Sequence, residues 1–165
     1  MAIPPYVRSY YTGALETAPA VLNKLLESSA DDNALWDFRP YADRFTLKEA
    51  LAHVADWDDI WIERISTIRD EDHPVLPDKD EGAIAIERDY AQSSPQGSLA
   101  RLKASRPRLV DLVQSLDPEA WDRPAYKENL GEVILSDIVT LVTMHDSYHV
   151  RQVLEYQELF ATKRG

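Results

Sequence analysis

The chain contains no cysteine among its 165 residues. Disulfides, thiolate metal sites and a cysteine nucleophile are therefore excluded, and any metal must be held by nitrogen or oxygen. Cationic residues are also scarce, with 18 Lys and Arg against 29 Asp and Glu and a formal charge of -11. Such a balance repels a phosphate backbone and argues against nucleic acid as a partner. No stretch approaches the roughly 18 apolar residues that a membrane span requires, and no basic segment followed by an apolar one opens the chain. The expectation is one soluble, cytoplasmic domain over residues 1–165, without a membrane partner.

Sustained period-two alternation is missing as well, whereas apolar residues recur at helical spacing in four long segments, so the chain reads as all-α. The first segment runs through Val7, Tyr10, Tyr11, Ala14, Leu15, Ala18, Leu22 and Leu26. Pro19 lies within it and predicts a kink, or a restart capped by Thr17. Asp31-Asp32-Asn33 and Phe38-Arg39-Pro40 read as connection. Thr46-Leu47-Lys48-Glu49 fits a capping box opening a second helix, whose stripe passes through Leu51, Val54, Trp57, Trp61, Ile65 and Ile68 before the charged stretch at Asp70. The segment from Pro74 to about Gly82 reads as loop and residues 83–92 as a short helical piece. Ser94-Pro95 is a cap and first-turn pair for a third helix, with Pro107 expected to bend it. The fourth helix spans about Ser136 to Ala161. Four amphipathic helices, none able to bury its stripe alone, pack most simply as a four-helix bundle.

Chemistry concentrates on the fourth helix. His145 and His149 stand at i, i+4 and share a face. At about 100° per residue, Leu141, Ile138, His149 and Gln152 all project within roughly 40° of His145, so both imidazoles sit mid-stripe. Burying them without partners would cost several kcal/mol, roughly. Hydrogen bonding can satisfy such a pair, and so can a metal ion. His53 lies on the second helix about 80° from the centre of its stripe, where it can turn inward or face water. His73, before a proline in a charged loop, reads as surface. His145-Asp146-Ser147-Tyr148-His149 also approaches the zinc-protease pattern, but aspartate is a methylene short of the general-base glutamate. Glu155 projects about 120° away from His149 and cannot share an ion with it.

The segments Phe45 to Trp57 and His145 to Gln152 together resemble the DinB/YfiT-like family of metal-binding four-helix bundles, over nearly the whole chain. That resemblance implies His53, His145 and His149 as three metal ligands, with no catalytic residue named. It implies a divalent transition metal, zinc or nickel first and iron or manganese next. Family activities include thiol-dependent transfer and proposed hydrolysis, and with no cysteine in the chain a thiol must be an external low-molecular-weight one. Asp56, Asp146 and Gln152 are the candidates to orient the ligands, with solvated surface or ordinary hydrogen bonding at least as good a reading for the aspartates. The expected function is a metal-dependent enzyme acting on a small molecule, a thiol-dependent transferase or a hydrolase. The alternative is a noncatalytic metal-binding or interaction bundle, for which a homodimer is one form.

Overall fold

The computed structural model describes residues 3–27 and 32–164. Four long helices form the bundle: α1 (Pro5–Glu27), α3 (Leu47–Asp70), α5 (Pro95–Gln114) and α6 (Leu135–Arg164). Two short ones, α2 (Asn33–Trp36) and α4 (Glu81–Glu87), lie in the connections. Helices α1 and α3 each pack against both α5 and α6, so α5 stands diagonally opposite α6.

The local signals explain most boundaries. Thr46 accepts from the Glu49 amide while Glu49 Oε2 accepts from the Thr46 amide at 2.7 Å, a complete capping box. Ser94 caps α5 and Pro95 follows at its first turn. Asp32 caps α2, a one-turn helix in what read as connection, while Asp31 lies outside the described residues. Residues 83–92 resolve into α4, which starts two residues earlier, and a 3₁₀ turn over Tyr90–Gln92 after Asp89 at φ 50. The fourth predicted helix extends one residue earlier and three later than expected.

Helix α1 runs unbroken through Pro19, and Thr17 bonds the Gly13 carbonyl at 2.7 Å instead of capping a new start. Pro19 has no N–H for the Leu15 carbonyl four residues back. Arg106 on α5 supplies the missing donor, its Nη1 standing 3.1 Å from that oxygen. The same guanidinium pairs with Asp58 on α3, 2.8 Å away, and with Asp146 on α6. One buried arginine thus ties its helix to the other three at the bundle interior.

Three short strands also occur among the described residues, which period-two reading did not predict. β1 (Val75–Leu76) pairs in parallel with β2 (Pro124–Lys127), and β2 pairs antiparallel with β3 (Gly131–Ile134). Strands of two to four residues are too short to show alternation. The sheet joins the end of α3 to the start of α6, and Arg123 Nε donates to the Ile68 carbonyl at 2.7 Å, satisfying one of α3's terminal acceptors.

The apolar core forms two clusters. The first takes Trp57 to Ile68 on α3 and Leu135 to Val142 on α6; the second takes Leu47 to Ala55 on α3 and Val153 and Tyr156 on α6. Positions 145 and 149 of α6 fall between them.

Candidate metal centre

Two helices build the site. α6 presents His145 and His149 one turn apart, and α3 presents His53, which is 2% exposed. The shoulder position of His53 resolves inward because Phe45 and Trp57 flank its ring, with centroids 5.5 and 5.0 Å away. His53 Nε2 lies 2.9 Å from His145 Nε2, and His149 Nε2 lies 3.2 Å from the same atom. One ligand atom from each of the three lies within 4.8 Å of the others.

The protonation of His149 follows from a chain of hydrogen bonds. Tyr156 donates to the Phe45 carbonyl at 2.9 Å, which consumes its single proton. Toward Gln152 it can therefore only accept, and Gln152 Nε2 donates to it at 3.1 Å. Gln152 then turns its carbonyl oxygen to His149 Nδ1 at 2.7 Å, so that nitrogen carries the proton. The lone pair of His149 is left on Nε2, facing the other imidazoles.

Burial and the neighbouring imidazoles press charge off His53 and His149. Desolvation, then His149 and His145, lowers the pKa of His53 from 6.5 to about 2. Desolvation, then His145, lowers that of His149 from 6.5 to about 3. Neutral imidazole is the form that ligates metal. Nitrogen ligands on a tetrahedral zinc, at bonds of about 2.0–2.1 Å, stand roughly 3.3–3.4 Å apart. The separations of 2.9 and 3.2 Å are within a few tenths of this, so the donor set fits a divalent ion.

The three residues considered as orienting groups go to different places. Gln152 holds His149 directly. Asp146 is buried against Arg106, and its Oδ1 stands 4.0 Å from His145 Nδ1, beyond hydrogen-bond reach. Asp56 is fully buried and ion-pairs with Arg88, at 2.9 Å, and with Arg101. Neither aspartate is solvated surface. Both read ambiguously because a charge one position off an apolar stripe projects about 100° away, which in a bundle can mean a neighbouring helix as well as water. His73 pairs with Glu132 at 2.8 Å, both exposed, as its loop context indicated.

A cavity of about 410 Å³ opens onto the imidazoles, lined also by Asp43, Arg44, Phe45, Glu81, Tyr148 and Gln152. Sequence reasoning missed Phe45, whose carbonyl anchors the proton chain, and Glu81, which α4 carries to the rim. Neither contribution leaves a periodic signal.

A family model described as the DinB superfamily matches residues 14–153. The chain belongs to the DinB superfamily. A curated relative from Bacillus subtilis (strain 168), named "Putative metal-dependent hydrolase YfiT", is 27% identical over 143 residues, covering 86% of this chain and 79% of the relative. The solved structure of YfiT from Bacillus subtilis, described as "a probable metal-dependent hydrolase with an unusual four-helix bundle topology", superposes with a TM-score of 0.86 at 22% identity. That match covers 97% of this chain and 91% of the other, and it bears on the DinB fold alone. No helix among the described residues is long and apolar enough to cross a membrane.

Proposed function

We propose that the chain is a metal-dependent enzyme that acts on a small molecule, with His53, His145 and His149 as ligands to a divalent ion and hydrolysis as the reaction. The observation that carries this reading is the convergence of the three Nε2 atoms, with the His149 lone pair aimed inward by the chain from Phe45 through Tyr156 and Gln152. A bound divalent ion supplies Lewis acidity there and lowers the pKa of an attached nucleophile. Gln152 holds His149 in one tautomer and one orientation, and so keeps its nitrogen basic toward the ion. Glu81 and Asp43 at the cavity rim are the carboxylates available to accept a proton from an incoming nucleophile. The relative's name as a metal-dependent hydrolase supports hydrolysis over thiol transfer.

The test is elemental analysis of untagged protein, followed by turnover assays with ester and amide panels and with a panel of external thiols. About one equivalent of a divalent transition metal, and ester or amide hydrolysis abolished by His149→Ala, is expected. Under a tenth of an equivalent of any such metal would sink the metal reading. Turnover only with thiols would replace hydrolysis by transfer.

A further inference from the structure

Behind the imidazoles lies a group of buried donors that the proposed chemistry does not use. Arg64 on α3 is 4% exposed, and its Nε and Nη2 have no hydrogen-bond partner among the described residues. Its guanidinium lies over the rings of Trp61 and Trp57, with Cζ 5.1 and 5.4 Å from their centroids. Those two indoles are each 5% exposed, and neither Nε1 has an acceptor among the described residues. They also touch the histidine cluster: the Trp57 ring is 5.0 Å from His53 and 5.7 Å from His145, and the Trp61 ring is 5.9 Å from His145.

A buried guanidinium is ordinarily paired with a carboxylate. This chain has 29 acidic residues, yet among the described residues no carboxylate oxygen lies within 4 Å of the Arg64 guanidinium. The negative charge that acts on it comes from Asp78 and Glu63. Asp78 is already paired with Lys127 at 3.3 Å, and Glu63 stands 3.9 Å from Lys79. The indole faces offset part of the burial cost through cation–π attraction, but they accept none of the N–H groups.

We infer that Arg64, with the indole N–H groups of Trp57 and Trp61, forms a subsite for a small carboxylate next to the three-histidine cluster. A carboxylate brings two coplanar acceptor oxygens that match the guanidinium fork. The subsite deepens the proposed function, and rests on it, by making the substrate an anionic small molecule held with its reacting group toward the imidazoles.

The test is a titration of protein carrying 15N-labelled tryptophan with succinate, with neutral succinamide and with inorganic phosphate at constant ionic strength. It reads the indole N–H resonances, and it is run on both chelator-treated and zinc-loaded protein. Succinate should shift the Trp57 and Trp61 resonances saturably, succinamide should not, and Arg64→Met should weaken succinate binding at least tenfold, with Arg64→Lys intermediate. Should Arg64→Met not fold, the succinate and succinamide arms on the native protein decide. Equal binding of succinate and succinamide, or unchanged affinity in a folded Arg64→Met protein, would overturn the subsite. Tighter binding of phosphate than of succinate would overturn the carboxylate assignment. Succinate binding to chelator-treated protein that takes up no zinc would keep the subsite while removing the metal reading.

Discussion

Arg106→Met should cost this bundle a large share of its stability, and the loss should fade in acid. The native guanidinium faces Asp58 and Asp146, both buried, and the Leu15 carbonyl that Pro19 leaves without a helical donor. Methionine fills similar volume but leaves two carboxylates and one carbonyl uncompensated. Removing one partner from a buried ion pair costs about 3–5 kcal/mol, and an unsatisfied buried acceptor adds about 1–3 kcal/mol. A total on the order of 4–8 kcal/mol compares with about 5–15 kcal/mol for a whole domain. Urea unfolding at pH 7 should show that loss, and Tm should fall by roughly 10–20 °C.

Acid should narrow the gap. Burial pushes Asp146 up, but His145 and Arg106 outweigh it and hold its carboxyl below 3.8. Its contribution is therefore present above 3.8 and lost as pH falls through the lowered value. Burial leaves Asp58 above 3.8 despite Arg106 and Ser105, so its contribution is present in acid and lost as pH rises through the raised value. Without Arg106, whose charge lowers both carboxyls, each titrates higher than in the native protein and takes up a proton more readily inside the folded variant as pH falls, which removes the uncompensated charge. Pro19→Ala supplies an N–H for the Leu15 carbonyl, so it should stabilise the Arg106→Met protein by about 1–3 kcal/mol more than it stabilises the native one. A deficit under 1 kcal/mol at neutral pH, or one that grows in acid, would refute the assignment of Arg106 as the bundle's electrostatic tie.

Further outcomes follow from the site and the caps. His53 and His149 titrate at about 2 and about 3 when folded, against 6.5 when unfolded, so the metal-free protein should lose stability as pH falls from 6.5 toward 3. Both groups together give a slope approaching roughly 2.7 kcal/mol per pH unit, and His53→Phe should halve it in urea titrations between pH 4 and 6. Gln152→Leu removes the acceptor at His149 Nδ1 and should weaken zinc affinity by about 10–100-fold in competition with a chelating dye. Thr46→Ala should cost about 1 kcal/mol of unfolding free energy, because α3 loses one half of its capping box. Gly131→Ala should cost about 1–2 kcal/mol through backbone strain alone, since Gly131 sits at φ +84 with open space where a Cβ would go.

The parts of the fold legible in the sequence are those encoded within one helix. The Thr46 capping box, the Ser94-Pro95 start and the stop at Asp70 are set by contacts between residues a few positions apart. The shared face of His145 and His149 follows from helical pitch in the same way. Pro19 misled as to a restart: its broken hydrogen bond is real, but the donor that satisfies the Leu15 carbonyl comes from Arg106, 91 positions after Leu15. The three strands escaped notice because parallel pairing of Val75 with Tyr126 is a contact between segments too short to carry a pattern.

What the sequence by itself determined was a cysteine-free, acidic, four-helix chain with two imidazoles on one apolar stripe. Whether His53 joined them was decided only in three dimensions, because a residue on the shoulder of its helix faces water or a neighbour according to what packs beside it, and Phe45 and Trp57 close over it. The same holds for Asp56, Asp58, Asp146, Arg64 and Arg106. Periodicity treats a charged side chain as a surface residue, and burial of a charge becomes tolerable only when a distant element brings a counter-charge, an aromatic face or a ligand to meet it.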